Sequence, residues 1–305
     1  MNKKLLEILD CNHCHKGSLR MPSGNDELIC TNCNQKYDIA NNVPLLLQYT
    51  EPEEQPATEL HKNQGTLFNY IEHYQKDAKV YDYFSERDSG TEHGDRRVRE
   101  YIASQIPLKK GRILDVGCGK AWVARDFCPQ GFEVTSMDIS LENTSEALKR
   151  YPFENHSAVV ADAYSPPFKK NSFDYIIASE IIEHVAYPDN FVKSLFQILK
   201  PGGVLIVTTP YKEKIRYSLC VHCNKPTPFN AHLHSFDEKI LTSLYTEPDL
   251  KQCHYQTFGN KILIHLRLHV ILKYLNFKVW KILDRIMNKV YNVPLRILVK
   301  WEKIQ

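Results

Sequence analysis

The feature that most constrains the fold of this 305-residue chain is an apolar strand that runs directly into a glycine-containing turn. Residues 113–119 have the sequence ILDVGCG, and three of the twelve glycines fall between residues 111 and 119. Glycine lets the backbone approach a ligand closely, and the free N–H groups of a helix starting near Lys120 favour a carboxylate or phosphate. A dinucleotide fingerprint would need glycine where Trp122 stands. The turn therefore argues against NAD and for a smaller, adenosine-like ligand.

Strand-like and helical stretches alternate after Pro107. The strand candidates are residues 112–116, 133–137, 158–161, 175–178 and 204–208, with helical patterns between them. This alternation is typical of an α/β protein with a doubly wound parallel sheet. Hydrophobic residues make up 43% of the chain, enough for a large core, and this composition excludes disordered and collagen-like classes. No stretch approaches the ~18 apolar residues that a membrane-spanning helix needs.

Acidic residues end the second and third of these strands. Asp138 lies 21 residues after Gly117, close to the offset of about 20 residues at which an acidic side chain meets ribose hydroxyls. Asp162 follows the third strand, where it is placed to accept a hydrogen bond from an adenine amino group. Either acid alone is more often a helix cap. Together, in this order behind the glycine turn, they predict a nucleoside site.

The region from about residue 110 to 210 resembles the class I S-adenosylmethionine-dependent methyltransferases. The matching segments are 114–119 (LDVGCG), Asp138, 161–163 (ADA), 171–174 (NSFD), 179–185 (SEIIEHV) and 199–203 (LKPGG). The resemblance implies a doubly wound, seven-stranded Rossmann-like sheet, with residues 295–304 as its final antiparallel strand, and S-adenosyl-L-methionine as the cofactor. The residues it implies for cofactor binding are Asp115, Gly117, Cys118, Gly119, Asp138, Ile139, Asp162, Ala163 and Ser179. Many relatives have another glycine in the loop where this chain has Lys120-Ala121. This difference narrows the loop.

Four cysteines near the start of the chain form two CxxC pairs, Cys11/Cys14 and Cys30/Cys33, separated by 15 residues. This is the spacing of a four-thiolate zinc site, in which two tight turns direct four sulfurs at one ion. A ribbon of about 50 residues would need that ion to fold; the alternative is a pair of redox dithiols. Residues 1–50 resemble the small zinc-ribbon proteins that activate tRNA and protein methyltransferases. A ribbon ahead of a methyltransferase is also similar to the 23S rRNA guanine methyltransferases.

Glu180, Glu183 and His184 follow the fourth predicted strand at positions i, i+3 and i+4, so in a helix they would share one face beside the cofactor. Three interpretations stay open. Glu183 or His184 acts as a general base for a hydroxyl; all three bind a divalent metal that lowers the acceptor's pKa; or the glutamates favour a helix start and His184 packs. The ExxEH pattern resembles that of metal-dependent O-methyltransferases of the ubiquinone pathway and of small-RNA ends. That resemblance implies a further ligand, His232 or His234.

A second zinc site competes for the same histidines. Cys220 and Cys223 precede His232 and His234 in a stretch after the fifth strand, and two thiolates with two imidazoles complete a structural zinc site. If these four residues bind zinc, the ExxEH motif loses its last ligand. The two metal predictions are therefore largely exclusive.

The C-terminal region is basic. Residues 251–305 hold eleven Lys or Arg against two acidic residues. Apolar residues recur there at helical spacing, namely Ile264, Leu268, Ile271, Leu275, Val279, Ile282, Ile286 and Val290, and a second face carries Lys278, Lys281, Arg285 and Lys289. A basic amphipathic helix indicates binding at a membrane surface; the alternatives are a helix docked on the body and an RNA-binding surface. No RNA-binding signature with interleaved aromatic residues is present.

The sequence thus predicts a zinc ribbon at 1–50, a linker at 51–64 and a methyltransferase domain at 65–305. That domain would contain a helical lid at 65–106, a Cys/His insertion at 211–235 and a basic amphipathic helical insertion at 261–292. We expect a cytoplasmic enzyme, peripheral to the membrane if the basic helices bind lipid, that methylates oxygen on a small or lipid-linked acceptor. The alternatives are an RNA methyltransferase and a binding module that holds the cofactor for stability. The sequence names neither the acceptor nor the oligomeric state.

Overall fold

The computed structural model describes residues 1–22, 26–47, 69–107, 110–221 and 224–305. The predicted linker at 51–64 and the predicted zinc ligand Cys223 lie outside these ranges. Among the described residues, no helix is both long enough and apolar enough to cross a bilayer.

The N-terminal unit consists of a short helix and a small antiparallel sheet. Its elements are α1 (Lys3–Ile8), β1 (Leu19–Arg20), β2 (Glu27–Cys30), β3 (Lys36–Ala40) and β4 (Val43–Pro44), and the four strands pair in chain order. One CxxC turn precedes β1 and the other begins at the end of β2. The predicted ribbon fold is therefore confirmed.

The other described strands are β5 (Arg112–Val116), β6 (Glu133–Asp138), β7 (His156–Val160), β8 (Phe173–Ser179), β9 (Leu199–Pro210), β10 (Tyr217–Leu219), β11 (Pro226–Pro228), β12 (Leu250–Asn260) and β13 (Pro294–Lys303). Seven of them form the main sheet in the order β12-β13-β9-β8-β5-β6-β7, and β10 and β11 form a separate hairpin. The strands β5 to β9 pair in parallel. β13 runs antiparallel to both of its neighbours, β12 and β9. The predicted seven-stranded sheet with an antiparallel final strand is confirmed.

Helices cover both faces of this sheet. They are α2 (Tyr70–Val80), α3 (Ser89–Ala103), α4 (Trp122–Phe127), α5 (Leu141–Arg150), α6 (Pro188–Gln197) and α7 (Glu238–Ser243). Successive side chains of a strand point to opposite faces, and in β5 Leu114 packs in one buried cluster with α6 whereas Ile113 packs in another with α3 and α4. The carboxyl ends of the parallel strands lie together on one side of the sheet, and the glycine turn after β5 lies on that side.

Main-chain and side-chain contacts join the ribbon to the edge strand β7. Leu45 forms a parallel bridge with Val160, and the N–H of Leu46 donates to the Val160 carbonyl at 2.8 Å. The Asn12 side chain donates to the Leu46 carbonyl. Leu46 is fully buried, so the ribbon contributes to the core of the sheet domain.

Three helices, α8 (Lys261–His265), α9 (His269–Leu272) and α10 (Phe277–Val290), lie between β12 and β13. The repeating apolar positions predicted from the sequence do not form one continuous helix, because Arg267 adopts a φ of 54° between α8 and α9. Nor do most of these positions face the body, although Leu275 packs against a buried cluster. In α10, Trp280 and Asp284 are buried, whereas the predicted apolar face is exposed at Val279, Ile282, Ile286 and Val290.

Candidate functional site

The glycine turn after β5 has a backbone conformation that L side chains disfavour. Gly117 and Gly119 have φ of +63° and +42°, in the left-handed region that glycine tolerates best. A Cβ on Gly117 would lie 2.3 Å from Cδ1 of Ile181. The turn therefore needs glycine for two reasons, its conformation and the close approach of Ile181.

Asp138, at the end of β6, binds the backbone of this turn, whereas Asp162, just after β7, binds the backbone of its own loop. Asp138 accepts from the N–H of Gly119 at 3.4 Å and of Ser140 at 3.0 Å. Asp162 accepts from the N–H of Tyr164 at 2.9 Å. Burial raises the pKa of both carboxyl groups. Both acids accept from backbone N–H groups, but neither is a helix cap, because Ser140 caps α5 and no helix begins directly after Asp162. Both also line the same open space.

That space is a cavity of about 1230 Å³ at the carboxyl ends of the parallel strands. The nine residues that the family resemblance implies for cofactor binding all line it: Asp115, Gly117, Cys118, Gly119, Asp138, Ile139, Asp162, Ala163 and Ser179. Asp115 is buried, and its Oδ2 has no hydrogen-bond partner in the described part of the chain. Burial and the nearby charge of Asp138 raise the pKa of Asp115. An unpartnered buried carboxylate oxygen beside a glycine turn suits a ligand that brings hydrogen-bond donors or positive charge.

Three tyrosines that the sequence did not single out as site residues close one side of the cavity. The Tyr70 hydroxyl at the start of α2 donates to Asp162. The Tyr83 hydroxyl, beyond the end of α2, donates to Asp77 at 2.5 Å, and the Tyr74 ring packs edge-on against His184 at 5.9 Å. The only sequence signal for them is the aromatic-rich pattern of this stretch.

Glu183, His184 and His232 also line the cavity, next to Tyr74, and bring metal-ligating atoms together. One ligand atom from each residue lies within 4.8 Å of the other two, and the His184 and His232 rings are 4.8 Å apart. Glu183 is buried and accepts from the Thr209 hydroxyl at 2.9 Å. Burial and the nearby Glu180 raise the pKa of Glu183 well above its usual value. Burial, together with His232, lowers the pKa of His184 to about 4.

The Nδ1 atom of each imidazole in this cluster already has a hydrogen-bond partner. His184 Nδ1 lies 3.3 Å from the Ala231 carbonyl, and His232 Nδ1 lies 2.5 Å from a Glu213 carboxylate oxygen. Both partners are acceptors, so a hydrogen bond from either ring requires the proton on Nδ1. Metal-ligating histidines are oriented in the same way by a carbonyl or carboxylate behind them. The residues present thus fit a divalent cation.

The predicted helical face of Glu180, Glu183 and His184 is absent. Ile182–His184 is a single turn of 3₁₀ helix, and Glu180 before it adopts a φ of 58°. Glu180 still lines the cavity, but its carboxylate pairs with Arg296 Nε of β13 at 2.6 Å. Sequence spacing could not have identified Arg296, which lies more than a hundred residues away.

His234, the other candidate ligand, lies outside the cluster. Its Nε2 is 2.9 Å from the Val185 carbonyl. The second zinc site predicted for Cys220, Cys223, His232 and His234 includes Cys223, which lies outside the described residues, so that site stays a prediction. His232, which both metal predictions use, lies in the cavity cluster with Glu183 and His184.

The four N-terminal cysteines converge. The Sγ atoms of Cys11, Cys14, Cys30 and Cys33 all lie within 4.8 Å of one another, and the Cys11–Cys33 and Cys14–Cys30 separations are both 3.7 Å. A tetrahedral zinc ion with sulfurs at about 2.3 Å requires S–S distances of about 3.8 Å. A Cβ on Gly17 would lie 2.4 Å from the Cys30 sulfur, so glycine gives that thiolate its space. The donor set and its geometry fit zinc.

Two family models match this chain. The model described as methyltransferase domain matches residues 90–258, and the model of Trm112p-like protein matches residues 2–42. A solved complex of the Haloferax volcanii Trm112 methyltransferase activator and its putative methyltransferase aligns with a TM-score of 0.52 and 14% identity, covering 79% of this chain and all of that one. At that identity the alignment supports the fold alone.

The sequence is also similar to named enzymes. The ubiquinone biosynthesis O-methyltransferase of Rickettsia canadensis (strain McKiel) is 35% identical over 127 residues, which cover 39% of this chain and 53% of that enzyme. The malonyl-[acyl-carrier protein] O-methyltransferase of Enterobacter lignolyticus (strain SCF1) is 30% identical over 115 residues, 37% of this chain and 45% of that enzyme. The chain thus spans about half the length of the curated relatives it matches.

Proposed function

The chain belongs to the methyltransferase domain family, and from that premise we propose that it transfers a methyl group from S-adenosyl-L-methionine to an oxygen of a small or lipid-linked acceptor. One observation carries this proposal: the glycine turn and the Glu183, His184 and His232 cluster line the same cavity. A cofactor site and a group of side chains able to bind or deprotonate an oxygen would then face each other. The two similar enzymes named above are both O-methyltransferases, which supports oxygen as the acceptor atom.

The cofactor would be held by the residues around the glycine turn. When bound, S-adenosyl-L-methionine supplies a methyl group activated by its sulfonium charge. Gly117 and Gly119 let the backbone approach it, Asp138 would accept from the ribose hydroxyls, and Asp162 would lie near the adenine. The buried, unpartnered Asp115 oxygen favours a donor-rich ligand at this point. Orienting the acceptor against the cofactor alone can lower the barrier by about 7–11 kcal/mol.

The acceptor oxygen would lie at the Glu183, His184 and His232 cluster. A divalent cation held there would supply charge that lowers the pKa of an acceptor hydroxyl. This interpretation is supported over a lone general base because potential ligand atoms of three residues lie within 4.8 Å of one another and both Nδ1 atoms are held by acceptors. Glu180 would stay with Arg296 or join the ligands when a cation binds. A neutral His184 can also accept a proton, so the general-base interpretation keeps a role for the same residue.

The proposal is tested by incubating the protein with methyl-labelled cofactor and a cell extract, then separating lipid, RNA, protein and soluble fractions. We expect label in the lipid or soluble fraction. Label confined to RNA would favour the RNA methyltransferase alternative and overturn the acceptor class. If calorimetry with metal-loaded protein gives no binding heat for millimolar S-adenosyl-L-methionine, the enzyme assignment itself fails.

Three variants separate the two metal predictions. If His232 completes the cavity cluster, His232→Ala should abolish divalent-cation binding and methyl transfer, whereas Cys220→Ser and His234→Ala retain most of both. If the four residues form a second structural zinc site, all three variants lose one zinc ion per chain. Elemental analysis counts the zinc, and titration with a competing chelator measures the exchangeable cation.

A further inference from the structure

Helix α10 presents its apolar stripe away from the body. Its inward face carries Trp280 and Asp284, and its outward face carries Val279, Ile282, Ile286 and Val290, all of them exposed. The connected helices α8 and α9 add exposed Leu266, Val270 and Ile271, and Tyr274 follows them. We call this surface, within residues 261–293, the outer apolar surface. Large exposed apolar patches mark interaction sites, and these eight side chains are all exposed within one segment of the chain.

The accessible charges that residues 261–293 themselves carry have one sign. Residues 261–293 contain seven Lys or Arg and a single acid, Asp284, which is 1% exposed and faces the body. The accessible charges of this segment are thus all positive. Two tyrosines, Tyr274 and Tyr291, are exposed beside them, and such amphipathic rings are enriched where a protein meets the headgroup region of a bilayer.

Contacts with α3 anchor these helices on the sheet domain. Arg97 is buried and donates from Nη2 to the carbonyls of Leu272 and Leu275, each at 2.9 Å, and its guanidinium lies over the Trp280 ring at 4.7 Å. Arg96 donates to the Lys273 carbonyl at 2.9 Å. Other residues of α3, including Asp95 and Val98, line the cavity. One helix therefore contacts both the outer apolar helices and the proposed reaction site.

We propose that the outer apolar surface docks on an anionic lipid bilayer, with α8 to α10 lying in the headgroup region. This inference deepens the proposed function and rests on it for the nature of the acceptor. Docking would bring the cavity to lipid-linked acceptors. The charge favours lipid over a second copy of the chain, because pairing two such surfaces would bring their positive charges together. Anionic lipids complement the lysines while the headgroup boundary accepts the apolar stripe.

The test is flotation of the full chain with vesicles of phosphatidylcholine containing phosphatidylglycerol, compared with phosphatidylcholine alone. We expect the wild type to float with the anionic vesicles only. Ile271→Glu/Ile282→Glu changes side chains that are 67% and 57% exposed, so the fold should persist while vesicle affinity falls by about tenfold or more. The matched control is Leu219→Glu in the β10–β11 hairpin, which is 64% exposed and should float as the wild type does.

A second variant tests the charge. Lys278→Glu/Arg285→Glu should lower affinity for anionic vesicles by about tenfold or more, with a weaker dependence on salt. The proposal is overturned if the wild type does not float, if the double variants float unchanged, or if the same substitutions abolish self-association or RNA binding instead. Calorimetry with S-adenosyl-L-methionine on each variant without lipid separates this outcome from failure of the proposed function, because docking variants should bind the cofactor normally.

Discussion

The main sheet carries an added unit from each end of the chain, and the two attach in opposite ways. The N-terminal ribbon buries Leu9, Leu28 and Leu46 in the same cluster as the sheet and bonds to β7 through its backbone. The C-terminal helices bury Leu263, Trp280 and Asp284 and pack Leu272, Leu275 and Phe277 against the body, but they turn most of their apolar side chains outward. The ribbon is part of the core, whereas the helices are anchored at a few points and keep a surface for another partner.

Removing one zinc ligand should have the largest effect on this comparison. Cys30→Ser opens the four-sulfur cluster, and because the ribbon shares its core with the sheet, the free energy of unfolding should fall by more than about 5 kcal/mol. Thermal unfolding and zinc content by elemental analysis measure it. Cys253→Ser, a cysteine of β12 outside the cluster, should keep the zinc. A Cys30→Ser protein with wild-type zinc content and melting midpoint would contradict the structural role of the site.

A pair of matched truncations sharpens the difference. Leu46→Ala empties a fully buried position at the ribbon attachment and should cost about 2–5 kcal/mol of stability. Ile271→Ala removes a similar side chain from the outer apolar surface and should change stability by less than about 0.5 kcal/mol. Denaturant unfolding of both variants gives the values. Equal costs would mean that the C-terminal helices are as deeply packed as the ribbon.

Arg97→Lys tests the few points that anchor the C-terminal helices. Lysine keeps the charge but cannot reach both the Leu272 and Leu275 carbonyls as the guanidinium does, so we expect a loss of about 2 kcal/mol. Amide hydrogen exchange should accelerate in α9 and α10 and stay unchanged in the ribbon. Uniform acceleration through the whole chain would show that the two attachments are not independent.

The smallest effect concerns pH. Burial raises the pKa of Asp284 to about 6 from 3.8, so the folded state binds this proton more tightly than the unfolded state does. Its contribution to stability is therefore lost as pH rises from about 4 to 6. Asp284→Asn removes that dependence, and its stability relative to the wild type should increase by about 1–2 kcal/mol over this window and then level off. Unfolding at a series of pH values measures the difference; a flat difference would refute the assignment.

Much of the fold was accessible from sequence because it depends on local pattern. Apolar strands, a glycine turn and two CxxC pairs are each recognised from a few neighbouring residues. Strand β5, for example, begins and ends where predicted. The candidate cofactor residues followed because parallel strands end at one edge. These positions need no knowledge of how distant segments meet.

The predictions that differ from the structure involve distant segments. The i, i+3, i+4 spacing presumed a helix at Glu180, but its left-handed backbone directs that carboxylate to Arg296 of the final strand. Helical periodicity identified an apolar face in the C-terminal region without specifying its direction. The packing of Trp280 and Asp284 against the body sets that direction. Periodicity alone does not show which of two helix faces is buried.

The bridge between Leu45 and Val160 has a consequence for how the chain is made. During synthesis the ribbon leaves the ribosome roughly a hundred residues before β7, the edge strand that it covers. An uncovered edge strand can pair with other nascent chains. A folded, metal-loaded ribbon would be waiting when β7 appears, so zinc supply during translation should influence the yield of soluble protein as well as its final stability.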